Sequence, residues 1–270
     1  MPSPSTASGR GISVPPNERP LKILLVAVVL CLVCSILVSA AAVLLKPIQE
    51  RNALVRRQQQ ILEVAGIYTQ GRPIPEQFEQ VDVRMVDLAT GEFVDSENPM
   101  AFDIRSVARN PDRSVAISTG EDIANIRRRP TQMPVYLVEQ DGELVTVVLP
   151  VYGYGLWSTM YAYIALESDV QTIRGLTFYS HQETPGLGGE IDNPRWLAQW
   201  PGKVVTDPAG EVLLKVAKAA APGDEESHID AIAGATLTSR GVEQLVRYWL
   251  GEQGFGPFLE QLRERKGEPI

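Results

Sequence analysis

Cysteine is nearly absent from this chain: Cys31 and Cys34 are the whole complement, which excludes a disulfide framework. Both lie in an uncharged apolar run, where a C-x-x-C pair on one helix acts as two small apolar side chains, not as a redox or metal motif. Histidine is almost as scarce. His181 and His228 stand far apart with no H-E-x-x-H pattern and no neighbouring cysteine, so no metal is expected. An excess of basic charge is also missing, since 33 acidic residues outnumber 25 basic ones and the net charge is -8. Such a chain repels phosphate backbones and releases no counterions on them, so nucleic acid is not an expected partner. The one basic run, Arg127-Arg128-Arg129 before Pro130, reads as a solvated loop face. There is no G-x-G-x-x-G loop, no Walker loop and no G-x-S-x-G elbow; dinucleotide binding of the Rossmann type, nucleoside-triphosphate hydrolysis and serine hydrolysis are therefore unsupported.

What the chain does have is a long apolar segment. Within 270 residues, 44% are hydrophobic and 21% charged, the balance of a globular protein that also carries a membrane segment. From Ile23 to Leu45 no charge occurs, and at 1.5 Å per helical residue this run reaches about 34 Å, enough to cross a hydrocarbon layer of about 30 Å. A cleaved signal peptide is the rival, because Ala40-Ala41-Ala42 offers small residues. The run continues through Val43, Leu44 and Leu45, beyond the apolar core of a usual signal, which favours an anchor. Basic residues flank both ends, with Arg10, Arg19 and Lys22 before and Lys46, Arg51, Arg56 and Arg57 after, so charge leaves the orientation open. The expected organisation is a Pro/Ser-rich tail over 1–22, a transmembrane helix over 23–45, a stalk helix over 46–66 with Leu54, Ile61, Leu62 and Ala65 on one stripe, and a domain over 67–270.

Within that domain, Val81, Val83 and Met85 alternate with polar neighbours before Ala89-Thr90-Gly91, the pattern of a strand entering a turn. Residues 98–130 suit a loop with a short helix. Asp141-Gly142 separates the apolar runs 135–139 and 144–149, and Glu167-Ser168-Asp169 separates 160–166 from 173–179; both read as hairpins. A further strand is expected over 212–217. Val242, Leu245, Val246 and Trp249 then form the stripe of an amphipathic helix closed by Gly251. Strands in hairpins followed by helices predict an α+β domain, an antiparallel sheet with flanking helices.

Two segments can carry chemistry. Asp230 to Ser239 reads D-A-I-A-G-A-T-L-T-S and opens the amphipathic helix. Gly234 and Ala235 leave room for a planar group to approach Thr236, and the first-turn amides, with Thr238 and Ser239 as possible caps, favour a phosphate. Thr-x-Thr-Ser before a helix is also ordinary N-capping. The second segment, His181 to Glu190, reads H-Q-E-T-P-G-L-G-G-E, a tight loop whose backbone could approach a flat ring or could simply turn the chain at the surface. Glu183, Glu190 and Asp192 make this region acidic, and a solvated face is the expected reading.

The first segment resembles the flavinylation motif Asp-x-x-[Ser/Thr]-Gly-Ala-Thr of covalent FMN-binding domains, with Asp230, Gly234, Ala235 and Thr236 matching and Ala233 standing where a hydroxyl residue is usual. The second resembles the H-x-E-T-P-G-L-G loop of the same domains, carried by Thr184, Gly186, Leu187 and Gly188. With the segments around Trp157, Trp196, Trp200 and Phe255-Gly256-Pro257-Phe258, most of the chain is similar to the C subunits of Na+-translocating NADH:quinone reductases. G subunits of Rnf-type electron-transport complexes share the anchor and both motifs, and a noncatalytic anchored binding domain, with Thr236 a mere helix cap, stays open beside them. The resemblance implies FMN esterified to Thr236, with Thr238 and the loop residues as further cofactor contacts. It also implies electron transfer coupled to sodium export, the A, B, D, E and F subunits and a flavin transferase as partners, and a periplasmic domain on a single-pass inner-membrane anchor.

Overall fold

The computed structural model describes residues 20–96 and 98–265, so positions 1–19 of the expected tail lie outside the described residues. The chain divides into two units, one up to Leu54 and one from Val55 onward. A helix, α1 (Pro20–Val64), begins in the first unit and ends in the second, so the expected membrane and stalk segments form one helix with Pro47 inside it. Pro47 removes one i to i-4 hydrogen bond without ending the helix. Its apolar side chains from Ile23 to Leu45 are exposed, an arrangement that is costly in water and favourable in hydrocarbon.

The second unit is built from α2 (Ile74–Phe78), β1 (Val81–Asp87), β2 (Phe93–Val94), α3 (Ile104–Arg109), β3 (Ser114–Ala116), β4 (Arg128–Pro130), β5 (Gln132–Gln140), β6 (Glu143–Tyr154), β7 (Thr159–Glu167), β8 (Ile173–Ser180), α4 (Pro194–Leu197), β9 (Lys215–Ala217), β10 (His228–Asp230), α5 (Thr236–Leu250) and α6 (Gly256–Glu264). Six strands form one antiparallel sheet in the order β2-β1-β5-β6-β7-β8. The α+β expectation is therefore borne out, and both hairpins fall where their turn residues place them, with Asp141 and Gly142 at positive φ.

Strands β5, β6 and β7 are nearly continuous in apolar residues because the sheet is covered on both faces. Met133, Val135, Leu137, Val147, Leu149, Val151, Ala162, Ile164 and Leu166 point into the core shared with α5 and α6. The alternate residues Tyr136, Val138, Val148, Tyr163 and Ala165 pack with Ile61, Leu62, Val64 and Ala65 from the end of α1 and with Phe78 of α2. The period-2 alternation of side chains thus assigns each strand residue to one of two cores.

Helix α5 seats closely on β6. A Cβ on Gly153 would lie 2.6 Å from Leu245 Cβ, and one on Gly241 would lie 2.6 Å from the Tyr154 carbonyl oxygen, so two missing side chains set this approach. Trp249 closes the other end by donating its indole N–H to the Tyr152 carbonyl oxygen at 2.6 Å.

Three expectations are corrected. The strand over 212–217 is only Lys215–Ala217, paired in parallel with β10. Val212 makes an isolated bridge to Thr206 across the turn in which Gly210 donates to Asp207. The 98–130 region holds a two-stranded sheet, β3 with β4, besides its helix; three-residue strands are too short to show a period. The run Arg127 to Arg129 is not one solvated face, because Arg128 donates to the Ser114 hydroxyl and carbonyl oxygens and Arg129 to the Gln253 carbonyl oxygen.

Candidate functional site

After β10 the chain turns through Ala231 to Ala235. Gly234 sits at φ +76°, a left-handed value that favours glycine, and the Ala235 amide closes the turn on the Ile232 carbonyl oxygen at 3.1 Å. Ala235 is the N-cap and Thr236 the first residue of α5, and no side chain caps this helix. Thr238 and Ser239 therefore do not act as caps. Both are buried one turn inside: Ser239 Oγ accepts the Ile232 amide at 3.0 Å, which ties the turn to the helix, and Thr238 Oγ1 donates to Glu183 Oε2 at 2.7 Å. The amides of the first helical turn have no partner inside the helix, and they open beside Thr236, which is exposed.

Glu183 links the two motifs. The residue is 4% exposed, and its carboxylate accepts the amides of Leu156 at 3.2 Å, Trp157 at 3.0 Å and Ser158 at 3.2 Å as well as the Thr238 hydroxyl. Burial acts to raise its pKa, but the Trp157 amide, the Thr238 hydroxyl and the Leu156 and Ser158 amides outweigh it and hold the carboxyl below its ordinary value. The expectation of a solvated acidic face thus fails at Glu183, whose charge is spent on three backbone donors and one helix residue. The same packing fixes Gly188, where a Cβ would fall 2.5 Å from Thr238 Oγ1, and Gly155, where it would fall 2.6 Å from Glu183 Oε1.

The loop turns on the Thr184 carbonyl oxygen, which accepts the amides of Leu187 and Gly189. This carries Leu187 over Gly234, where a Cβ would lie 3.2 Å from Leu187 Cδ2. Leu156, Trp157, Leu187 and Leu237 are left 40%, 64%, 46% and 56% exposed. On the other side, Gly186, Asn193, Gln199, Asp230, Ile232 and Ala233 help to line an open groove of about 480 Å³. Of the sequence candidates, Thr236, Gly234, Thr184, Gly186, Leu187 and Asp230 are exposed, whereas Ala235, Gly188 and Thr238 are buried in the support beneath them.

The reading of the residues missed Glu183 as the link, and it missed the Leu156 to Ser158 amides. The available signal was one carboxylate inside a Gly/Pro loop, which a buried position makes a backbone acceptor. His181 accepts the Glu183 amide on Nδ1 and pairs through Nε2 with Asp192 at 2.7 Å, and His228 pairs with Asp230 at 3.1 Å. Among the described residues no cluster of three or more histidine, cysteine or acidic side chains could hold a metal.

The α+β domain, with its uncapped, threonine-headed helix beside a glycine loop, stands in a chain that has, among the described residues, one helix long and apolar enough to cross a membrane, and a family profile for the FMN-binding domain matches residues 155–251. Full-length relatives narrow this. The chain is 46% identical to the C subunit of the Na(+)-translocating NADH-quinone reductase of Yersinia pestis, over 92% of its own length and 95% of the relative's. It is 45% identical to the protein of the same name from Pseudomonas aeruginosa, over 93% and 98%. The crystal structure of NqrC from Shewanella oneidensis superposes with a TM-score of 0.73 at 36% identity, covering 78% of this chain and 98% of that one. The chain belongs to the family of C subunits of the Na+-translocating NADH-quinone reductase, an oxidoreductase complex.

Proposed function

We propose that FMN is joined to Thr236 Oγ1 by a phosphoester and that electrons pass through it between other redox centres of the complex, coupling quinone reduction to sodium export. The observation that carries this reading is the exposed residue Thr236 at the first position of α5, with no capping side chain. Unpaired amides and the positive end of the helix dipole converge there, which suits a phosphate ester. In loading, the Thr236 Oγ1–P bond forms, the pyrophosphate P–O bond of a flavin dinucleotide breaks and AMP leaves. The hydroxyl proton goes to a base of the flavin transferase.

The fit of the flavin rests on the surroundings of Thr236. Gly234 and Ala235 add no bulk, and Leu156, Trp157, Leu187 and Leu237 supply exposed apolar surface for a planar ring. Gly186 and the Asp230 groove form the far rim, and the Thr184 carbonyl oxygen holds the loop turn behind them. Thr238 and Gly188 serve from beneath, through the Glu183 link that keeps the two motifs together. Bonding by three amides also spreads the Glu183 charge, so the carboxylate does not oppose the phosphodiester monoanion at full strength. When bound, the flavin supplies reversible electron uptake and release, and the protein supplies orientation and electrostatic tuning.

In this reading the A, B, D, E and F subunits hold the NADH, quinone and sodium sites. The domain stands in the periplasm on an inner-membrane anchor, where the transferase reaches Thr236. Mass spectrometry of the chain from cells expressing the transferase should find the FMN phosphoester on the peptide containing Thr236. Thr236→Val should give a colourless protein; a fluorescent flavin band retained in a denaturing gel of that variant refutes the assignment.

A further inference from the structure

Outside both motifs, a cavity of about 770 Å³ opens between α3, the turn preceding β4 and the ends of β6 and β7, a volume typical of small-molecule sites. Arg105, Arg109, Arg127 and Arg128 line it, together with Tyr154 and Thr159. Among the described residues none of these four arginines is in an ion pair, although the chain has 33 acidic residues and a net charge of -8. Arg105 and Arg109 lie four apart on α3, an unfavourable like-charge spacing on a short helix. Four cations outnumber the two carboxylates beside them, Asp103 and Asp122, which accept backbone amides instead of pairing with a guanidinium, and the excess raises the local potential in an otherwise acidic molecule.

The surrounding structure holds these cations in place. The Arg105 guanidinium rests 4.4 Å from the Tyr161 ring centroid and donates to Ser180 Oγ at 2.6 Å. Arg128 is held by Ser114 through Nε and Nη2, which leaves Nη1 free to donate. The turn itself has Asn125 and Arg127 at φ +54° and +64°, left-handed values unusual for side-chain-bearing residues. The Asp122 carboxylate secures it by accepting the Ile126 and Arg127 amides at 2.8 and 2.7 Å.

We infer that this cavity is a binding site for a phosphate-bearing polyanion of the diphosphate class. A planar carboxylate accommodates one or two guanidinium forks, whereas tetrahedral phosphate oxygens present acceptors in several directions and can take forks from α3 and from the turn together. The Tyr154 and Thr159 hydroxyls add neutral donors or acceptors at the rim. The two sources of this chemistry are a soluble diphosphate and an anionic phospholipid headgroup.

The test is calorimetric titration of the full-length, flavin-loaded protein in neutral detergent with pyrophosphate, ADP and the tricarboxylate tricarballylate. Nanodiscs with and without anionic phospholipid form a separate arm. Saturable binding of pyrophosphate or ADP below about 1 mM, weakened roughly tenfold or more by the double substitution Arg109→Gln with Arg127→Gln, supports the site. Both arginines are exposed, so the fold tolerates their loss. Selective binding of anionic nanodiscs with the same arginine dependence supports the headgroup source. Absence of saturable binding in both arms, equal affinity for tricarballylate, or affinity unchanged in the double variant overturns the proposal. The same titration on Thr236→Val separates this cavity from the start of α5: loss of binding there assigns the signal to the helix amides and also overturns it.

Discussion

Replacing Glu183 should loosen the two motifs from one another. Its carboxylate accepts three backbone amides and the Thr238 hydroxyl from a position 4% exposed. Glu183→Ala strands four donors. Two belong to exposed residues, Leu156 and Trp157, and regain water; the Ser158 amide and the buried Thr238 hydroxyl recover less. At about 1–3 kcal/mol for each donor left unsatisfied, the expected loss is about 3–5 kcal/mol. Glu183→Gln keeps the shape and an acceptor oxygen but not the charge, so about 1–3 kcal/mol should be lost. Thr238→Val should cost about 1–2 kcal/mol, and the Glu183→Gln, Thr238→Val cycle should show coupling, since each removes one end of the same bond. Urea unfolding of the full-length protein in detergent, followed by tryptophan fluorescence, measures every variant of the series. Covalent flavin yield should fall in the same order, Ala below Gln, because Leu187 is held over Gly234 by the loop that Glu183 anchors. Unfolding midpoints of Glu183→Ala and wild type that coincide would refute the role given to this carboxylate.

The pH dependence follows from the same group. Its folded pKa is depressed below the ordinary value of 4.5, so its stabilisation is fully present above that value and is lost as pH falls through the folded pKa; wild type should lose more stability than Glu183→Gln when urea midpoints are compared between neutral and strongly acidic pH. Gly241→Ala places a Cβ 2.6 Å from the Tyr154 carbonyl oxygen and should destabilise by about 1–3 kcal/mol through overpacking. Gly120→Ala, which meets nothing within 4 Å, should leave the thermal midpoint unchanged. Trp249→Phe removes the 2.6 Å bond to the buried Tyr152 carbonyl oxygen and should cost about 1–3 kcal/mol in the same measurement.

Much of the fold was legible from short-range chemistry. The hairpin at Asp141-Gly142, the strands on either side of Glu167 to Asp169 and the stripe of α5 are local patterns, and the structure carries all of them. What escaped were elements too short for a period, such as β3 and β4, and the split of one apolar run into two faces of a doubly covered sheet. Charged residues were misjudged for a related reason. Arg128 and Glu183 look like solvent-facing residues in a linear reading, yet both are held by backbone groups that only the folded chain brings near.

By itself the sequence determined the long apolar N-terminal helix, the α+β class, the family through its two motifs and the threonine at the head of α5, because periodicity, turn dipeptides and motif spacing are properties of neighbours along the chain. Only the tertiary structure decided that Glu183 joins motifs 55 residues apart through Thr238. It also decided that the expected caps point inward and that four arginines from α3 and the turn before β4, none of them in an ion pair among the described residues, share one cavity. Those outcomes depend on which buried polar groups find partners, and burial is settled by packing between segments, on which the order of residues within either one is silent.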